Sequence, residues 1–152
     1  MSLFVIISTA AAASLALILV GGGLYEFLVV DPIGPKRPDI IQPDRGGISR
    51  RRFWIPAHVA FELLLISALV FAWSLPGVRF WFWSALISHA MMRIWSAFDL
   101  IPKALAFERA EPGTIEEGAA RKWSHRSMLR LPLDLITCFA MLEAFAAAVR
   151  NV

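Results

Sequence analysis

Long apolar runs alternate with polar segments along this chain, and the pattern predicts four helices that cross a membrane. A bilayer-spanning helix needs about 20 predominantly apolar residues. The runs that reach this length are 3–30, 53–75, 80–101 and 129–149. The turn sequence SLPGVR at 74–79 separates the second and third runs, so these two helices are expected to be antiparallel neighbours. The predicted fold class is all-α, a four-transmembrane-helix antiparallel bundle that forms a single domain over residues 1–152.

Basic residues are concentrated in the two longer connections between the predicted helices. These residues are Lys36, Arg37, Arg45, Arg50, Arg51, Arg52, Lys103, Arg109, Arg121, Lys122, Arg126 and Arg130. The opposite face of the bundle receives only Arg79 and Arg150. By the positive-inside rule, the two longer loops are cytoplasmic. We therefore expect a multi-pass protein of the inner (plasma) membrane with both termini on the non-cytoplasmic side.

The composition supports a lipid environment and excludes several classes of function. Hydrophobic residues make up 58% of the chain, against about 45–50% in soluble domains, so the lipid bilayer is the expected partner. Basic and aromatic residues do not alternate along a polar face, so no nucleic-acid partner is expected. Cys138 is the only cysteine, which excludes an intrachain disulfide and a zinc site built from cysteines. A bundle this small often assembles further, so a homo-oligomer remains an expectation.

Three further features concern the loops and the glycines. The first two each allow two structures, and the third predicts a short helix. The loop 31–52 is rich in Pro and Gly, and it is either a disordered connector or an ordered cap over the mouth of the bundle. The glycines at 21–23 either allow close approach of another helix or form a bend. Thr114 followed by Glu117 predicts a capping box, with a short surface helix that begins there.

Ionisable residues occur inside all four apolar runs, where they are costly and usually functional. They are Glu26, His58, Glu62, His89, Arg93, Asp99 and Asp134. From the helical rise, these groups converge on the cytoplasmic half of the bundle. Glu62 and Arg93 lie at similar depths, about 13 Å and about 11 Å from that side, so a direct ion pair between them is predicted.

This convergence predicts a polar pocket for a small lipophilic or aromatic substrate that arrives from the bilayer. A carboxylate or imidazole in an apolar pocket suits proton abstraction, so Glu62 or His58 is the predicted base. Arg93 is predicted to stabilise an enolate or phenolate as it forms, with His89 and Asp134 as supporting groups. The residues predicted to bind substrate are Tyr25, Glu26, Trp54, Trp95 and Asp99.

A structural role is the alternative for each polar residue. A buried Glu62–Arg93 pair can fix helix register without any reaction, and Asp134 can complement the dipole of a helix that starts near Pro132. If the second helix starts at Pro56, His58 lies near the surface. The opposing class of function is a non-enzymatic assembly or transport-associated protein.

Cofactor motifs are missing from the sequence, so a pocket without a metal or cofactor is favoured. HExxH, CxxCH and a repeated ExxH do not occur. Haem is the alternative, with His58 or His89 as the iron ligand. Glu143 lies on the opposite face of the fourth helix, and the sequence assigns it no partner.

Three sequence segments carry a resemblance to known membrane proteins. GLYEFLVVDP, RRRFWIPAH and ARKWSHRSMLRLPLDL resemble the small four-helix proteins of the anthrone-oxygenase-like family, long catalogued as a domain of unknown function. That resemblance implies cofactor-independent oxygenation of a phenolic or anthrone-type substrate. Ala57-His58 is also similar to a motif of the membrane-bound styrene oxide isomerases and, more distantly, of glutathione-transferring membrane enzymes. This second likeness implies a haem ligand at His58, although Val59 stands where those enzymes have asparagine.

Overall fold

The computed structural model describes residues 3–150, which contain helices and turns and no strand. The helices are α1 Leu3–Tyr25, α2 Arg51–Phe71, α3 Pro76–Trp95, α4 Ile101–Arg109, α5 Glu117–Met128 and α6 Leu131–Arg150. Two five-residue π turns, Glu26–Val30 and Ser96–Leu100, extend α1 and join α3 to α4. The predicted all-α class is confirmed.

Three helical segments are long and apolar enough to cross a membrane, judged by length and composition. They are Leu3–Val30, Arg51–Phe71 and Glu117–Arg150, the last of which includes α5 and α6. The remaining predicted run, 80–101, lies on α3 and the π turn after it, and α3 is a regular helix of lower mean hydropathy. The sequence thus places the helical runs correctly, whereas α3 does not qualify as a span by composition.

The long helices pack in the order α2, α1, α6, α3 around a core of small side chains. α6 lies between α1 and α3, and α2 packs mainly on α1. Alanines at the α1–α6 contact allow the two backbones to approach closely. The buried ones are Ala12, Ala13, Ala16, Ala140, Ala144 and Ala148. The contact between α2 and α3 is much smaller, so that side of the bundle is the one that can open.

The loop between α1 and α2 is ordered and docks on α4. The side chain of Gln42 is fully buried and donates two hydrogen bonds from Nε2, to the carbonyl oxygens of Phe107 (3.0 Å) and Ala110 (2.7 Å). Arg45 forms a 2.7 Å ion pair with Glu111. Of the two structures left open for this loop, the ordered one is found, and both longer loops lie at the same end of the bundle.

Local details differ from the sequence predictions at two helix starts. α5 begins at Glu117, and the Thr114 hydroxyl donates to the Glu111 carbonyl oxygen, so the predicted capping box is wrong. α2 begins at Arg51 and contains Pro56, so the alternative that α2 starts at that proline is also wrong.

The glycines at 21–23 lie within α1, and one of them marks a close helix contact. A Cβ atom at Gly22 would lie 2.5 Å from the Phe53 ring and 3.3 Å from the Trp54 ring. The start of α2 therefore approaches α1 at this level, which favours close approach over a bend. This contact fixes Trp54 near the end of α1.

Candidate functional site

Glu62 is the centre of a polar cluster on the facing sides of α2 and α3. Arg93 Nε forms an ion pair with Glu62 Oε1 at 2.9 Å, and His89 Nε2 lies 3.2 Å from the same oxygen. His89 and Arg93 are four residues apart, so one face of α3 presents both groups. The predicted Glu62–Arg93 pair is confirmed. We call His58, Glu62, His89 and Arg93 the polar cluster.

His58 completes this cluster one helical turn before Glu62. Its side chain is 5% exposed, stacks on Trp54 with ring centroids 5.4 Å apart, and lies 5.4 Å from the ring of His89. Phe61 packs edge-on against His89 at 4.8 Å. Among residues 3–150, neither His58 Nδ1 nor His89 Nδ1 has a hydrogen-bond partner. His58 is therefore held by ring contacts, and His89 by ring contacts and by Glu62, and each has one ring nitrogen without a partner in the described chain.

A groove of about 320 Å³ opens between α2 and the segment formed by α3, its π turn and α4. We call it the lateral groove. Its apolar lining is Ile55, Val59, Leu100, Ile101, Ala104 and Leu105. Its polar lining is Glu26, Arg50, Arg51, Trp54, His58, Arg93, Ser96, Glu108, Trp123 and Arg130. The lateral groove thus joins an apolar wall to a charged floor.

One end of the lateral groove is closed by a network around Glu26. Trp54 Nε1 donates to Glu26 Oε1 at 2.8 Å, and Arg50 lies 3.7 Å from the other carboxylate oxygen. The Arg50 guanidinium also lies 4.7 Å above the Trp123 ring, a favourable cation–π geometry. Trp123 Nε1 in turn donates to the Leu100 carbonyl at 3.0 Å. These contacts tie α1, α2, α5 and the π turn together.

Arg130 lies between the lateral groove and a small inner cavity. Its guanidinium donates to the Ser127 carbonyl (3.1 Å), to Ser127 Oγ (2.7 Å) and to Ser96 Oγ (3.3 Å). The inner cavity, of about 30 Å³, is lined by Arg130, His58, Asp31 and Asp134 among others. That volume is enough for a water molecule. Asp134, in the first turn of α6, therefore faces the same polar interior as His58.

Asp31 lies just beyond the apolar run of α1 and borders the same inner cavity. Burial raises the pKa of the Asp31 carboxyl to about 6, an effect that the nearby positive charge of Arg50 partly offsets. Burial penalises the charged form of a carboxyl group. Asp31 is therefore a group whose protonation changes near neutral pH at the loop end of the bundle.

The structure brings most of the predicted site residues together. Glu26, Trp54, His58 and Arg93 line the lateral groove, and Glu62 and His89 lie directly behind them. Asp134 is reached across the inner cavity. Trp54 and Glu26 were predicted as substrate-binding residues, and both have side chains in the groove.

Three predicted substrate-binding residues lie elsewhere. Tyr25 is 58% exposed and does not line the groove. Trp95 donates to Asp99, whose carboxylate is also held at 2.6 Å by both Lys103 and Arg126. Neither Trp95 nor Asp99, which lies within the second π turn, lines the groove. Glu143 has no ion pair within residues 3–150.

Sequence reasoning missed Arg50, Arg130 and Trp123 as site residues. Arg50 is one of three consecutive arginines, and Arg130 lies at the boundary of an apolar run, so both were interpreted only as orientation signals. Neighbouring serines offered a faint signal for Arg130, because Ser127 is one helical turn away and accepts its hydrogen bonds. The Arg50 side chain is largely buried and the Arg51 side chain is exposed. The sequence does not show this difference, because burial is a property of the folded chain.

Comparison of the chain with protein-family models, with curated proteins and with solved structures gave no match. The chemistry of this site is therefore inferred from the geometry of its own residues.

Proposed function

We propose that this chain is a membrane-embedded enzyme that binds a small lipophilic or aromatic substrate in the lateral groove and catalyses proton transfer of the oxygenase or isomerase type. The observation that carries the proposal is the groove itself, whose apolar wall meets the polar cluster at its floor. Ligand pockets commonly combine a mostly apolar lining with a few convergent polar groups. The resemblance to anthrone-oxygenase-like proteins leads to the same class of substrate.

The groove suits a ring system that carries a weakly acidic group. The ring would lie against Ile55, Val59 and Leu105, and its oxygen would face Arg93 and Arg130. A guanidinium aimed at a developing enolate or phenolate stabilises that charge in a low-dielectric site. The proton acceptor lies at the His58 and Glu62 end of the groove, and His58 is the one of the two that lines it.

Four spans, with α3 among them, are the membrane arrangement that we propose. The exposed side chains of α3 are large and apolar at helical spacing, which forms an outward stripe suited to lipid. They are Phe80, Trp83, Ile87, Met91 and Ile94. The polar residues of α3 that lower its hydropathy, His89 and Arg93, face α2 instead. The basic loop end is proposed to be cytoplasmic, with both termini on the other side of the inner membrane.

Haem at His58 fits these residues poorly. A haem needs a flat apolar slot beside its ligand, whereas the groove next to His58 is walled by Arg93, Arg130 and Trp54. No step of the proposed reaction uses haem. We expect protein purified after haem-replete expression to show no Soret band, and a stoichiometric Soret band that is lost in His58→Ala would contradict this.

The proposed activity is tested with an anthrone-type ketone, whose acidic C–H protons exchange with solvent through an enolate. The measurement is the rate of deuterium incorporation from heavy water, followed by mass spectrometry, with purified protein in detergent. Wild-type protein is expected to accelerate the exchange. Arg93→Gln is expected to reduce that acceleration at least about tenfold, because it removes the stabilising charge.

A matched pair of substitutions on α2 tests whether the groove is the site. Val59→Trp fills the lateral groove, whereas Leu63→Trp adds the same ring one turn later on the exposed face of α2. The first is expected to abolish exchange and the second to preserve it. No acceleration by wild-type protein, or equal acceleration by both tryptophan variants, would overturn the proposal and favour a non-enzymatic role.

A further inference from the structure

Three side chains of the polar cluster have the arrangement of metal ligands. His58 and Glu62 lie one helical turn apart on α2 and face His89 on α3. One ligand atom from each residue lies within 4.8 Å of the other two. We propose that these residues bind one divalent transition-metal ion through two imidazoles and one carboxylate.

The distances require only a small closure around an ion. Metal–ligand bonds of about 2.0–2.2 Å place neighbouring ligand atoms roughly 3–4 Å apart. Glu62 Oε1 and His89 Nε2 are already 3.2 Å apart. The ring nitrogen of His58 has to move towards the other two ligand atoms by less than the width of an atom. The ring can shift because stacking on Trp54, and not a hydrogen bond, holds it. The three ligands are therefore nearly preorganised.

Unsatisfied ring nitrogens are an independent observation in favour of an ion. His58 Nδ1 and His89 Nδ1 are buried without a partner in the described part of the chain. Such groups are uncommon and call for an explanation, of which an ion or a water molecule is one. Coordination through His89 Nε2 would leave His89 Nδ1 to donate to a water molecule, so His58 Nδ1 is the unpartnered nitrogen that the ion itself could satisfy.

The ligand set indicates the class of metal. Calcium and magnesium prefer oxygen ligands throughout, whereas two imidazoles with one carboxylate suit zinc or ferrous iron. Three protein ligands leave a coordination position open, as catalytic sites require. His58 lines the lateral groove, so the open position faces the bound substrate.

Arg93 is compatible with this site as a residue that supports a ligand. It forms an ion pair with Oε1 of Glu62, and the two oxygens of a carboxylate together offer enough lone pairs for both an arginine and a cation. Ligating carboxylates are commonly held by such outer hydrogen bonds. The positive charge of Arg93 lowers the affinity for a cation, so the ion is expected to be exchangeable with a chelator and not permanently bound.

The consequence for catalysis rests on the proposed function, whereas metal binding does not. With an ion in place, His58 and Glu62 would be ligands, and the proton acceptor would be hydroxide, formed when a water at the open position loses a proton to solvent, because a bound dication lowers the pKa of that water. Metal binding is measured without substrate. A protein that binds the ion but exchanges no C–H protons would refute the proposed function alone.

The test is a titration of chelator-treated protein in detergent with Co²⁺, followed by visible absorption, and with Zn²⁺ in competition with a chromophoric chelator. We expect one ion per chain. His58→Gln and His89→Gln are expected to weaken binding at least about tenfold, the loss that even outer-shell changes produce. His125→Gln, at the remaining histidine, which is exposed on α5, is the control and should leave binding unchanged.

Glu62→Gln provides a second test if a buried histidine variant fails to fold. It keeps the shape of a partly exposed side chain and removes the charged ligand, so it should also weaken binding while thermal unfolding remains cooperative. Folded wild-type protein that takes up no Co²⁺ or Zn²⁺ would overturn the proposal. So would uptake that His58→Gln, His89→Gln and Glu62→Gln leave unchanged, since the ion would then lie elsewhere.

Discussion

At the scale of single residues, Glu62 organises the site because one of its oxygens lies within 3.2 Å of two groups on α3. Arg93 and His89 both reach Oε1, and the Glu62 and Arg93 side chains are 34% and 38% exposed. Partial exposure to lipid or water moderates the attraction, but it does not remove the cost of leaving one charge unpaired. The pair therefore couples α2 to α3 where their backbone contact is weakest.

A double-mutant cycle measures this coupling. Glu62→Gln and Arg93→Gln should each lower the free energy of unfolding by about 1–3 kcal/mol, because each leaves a polar partner unsatisfied. The double variant should recover part of the loss, giving a coupling of about 0.5–3 kcal/mol. Denaturant unfolding in mild detergent provides the values. Strictly additive losses would mean that the two side chains do not interact in solution.

Asp31 gives the protein a pH-dependent stability. Its folded pKa of about 6 lies above the ordinary value of 3.8, so folding favours the protonated carboxyl. This contribution is fully present below 3.8 and is lost as pH rises through 6. We expect Asp31→Asn to raise the melting temperature at pH 7.5 and to have little effect at pH 3.5, where the carboxyl is protonated in both the folded and the unfolded chain. Asp44→Asn, in the same loop but exposed, should show no such difference between the two pH values.

At the scale of elements, two π turns shape the loop end of the bundle. Each ends two residues before a proline, Pro32 or Pro102, and in each the following residue donates to the carbonyl five positions back. Proline lacks the N–H of a regular helix and crowds the preceding turn, so the wider turn accommodates it. The turns place Glu26 and Ser96 in the groove and leave the Leu100 carbonyl for Trp123.

The loop 31–50 is a second element whose packing has a test. A Cβ atom at Gly47 would meet the backbone oxygen of Asp39, and it would lie 2.6 Å from the Ile40 oxygen and 2.8 Å from the Gln42 nitrogen. Backbone atoms cannot move aside as a side chain can, so Gly47→Ala should destabilise the docked loop by about 1–3 kcal/mol. Faster tryptic cleavage within the loop and a lower melting temperature are the expected readouts.

Gly118→Ala is the matched control for that substitution. Gly118 is in α5, and a Cβ atom there meets nothing within 4 Å. Alanine has a higher helix propensity than glycine, so this variant should be as stable as wild type or slightly more stable. If Gly47→Ala behaves in the same way, the loop is not held by the contacts described.

At the scale of the whole molecule, the bundle is closed on three sides and open on the fourth. Small side chains join α1 to α6, whereas α2 and α3, although joined by the tight turn at 72–75, are linked mainly through side chains of the polar cluster. In the proposed membrane arrangement, this side faces lipid. The proposed lipophilic substrate would then reach the groove without crossing water.

The orientation in the membrane is tested with single cysteines in a Cys138→Ala background. Asp44→Cys lies in the basic loop end and Ser74→Cys in the short turn at the other end, and both positions are exposed. A membrane-impermeant maleimide applied to intact cells should label the second position and should reach the first only after permeabilisation. Labelling of the first position alone in intact cells would show the inverted topology. Labelling of both positions in intact cells would place them on the same side, which excludes an odd number of spans between them.

The sequence by itself determined the helical class, the tight turn before α3 and the pairing of Glu62 with Arg93. These follow from composition, helical period and depth, which are local properties of the chain. A count of apolar residues also located α3, but it could not tell that the polar residues of that helix face inward. Arg50 and Arg51 likewise differ in side-chain burial, which depends on neighbours that are distant in the sequence.

Only the tertiary structure decided which polar groups meet. Trp95 and Asp99 were predicted to bind substrate, yet the structure places them in another network with Lys103. The loop 31–50 docks because Gln42 donates to two carbonyl oxygens, one on α4 and one just after it, more than sixty residues away. The convergence of His58, Glu62 and His89 within 4.8 Å depends on the register between α2 and α3. Helical periodicity assigns each residue to a face of its own helix, whereas packing sets the rotation and height of one helix against another.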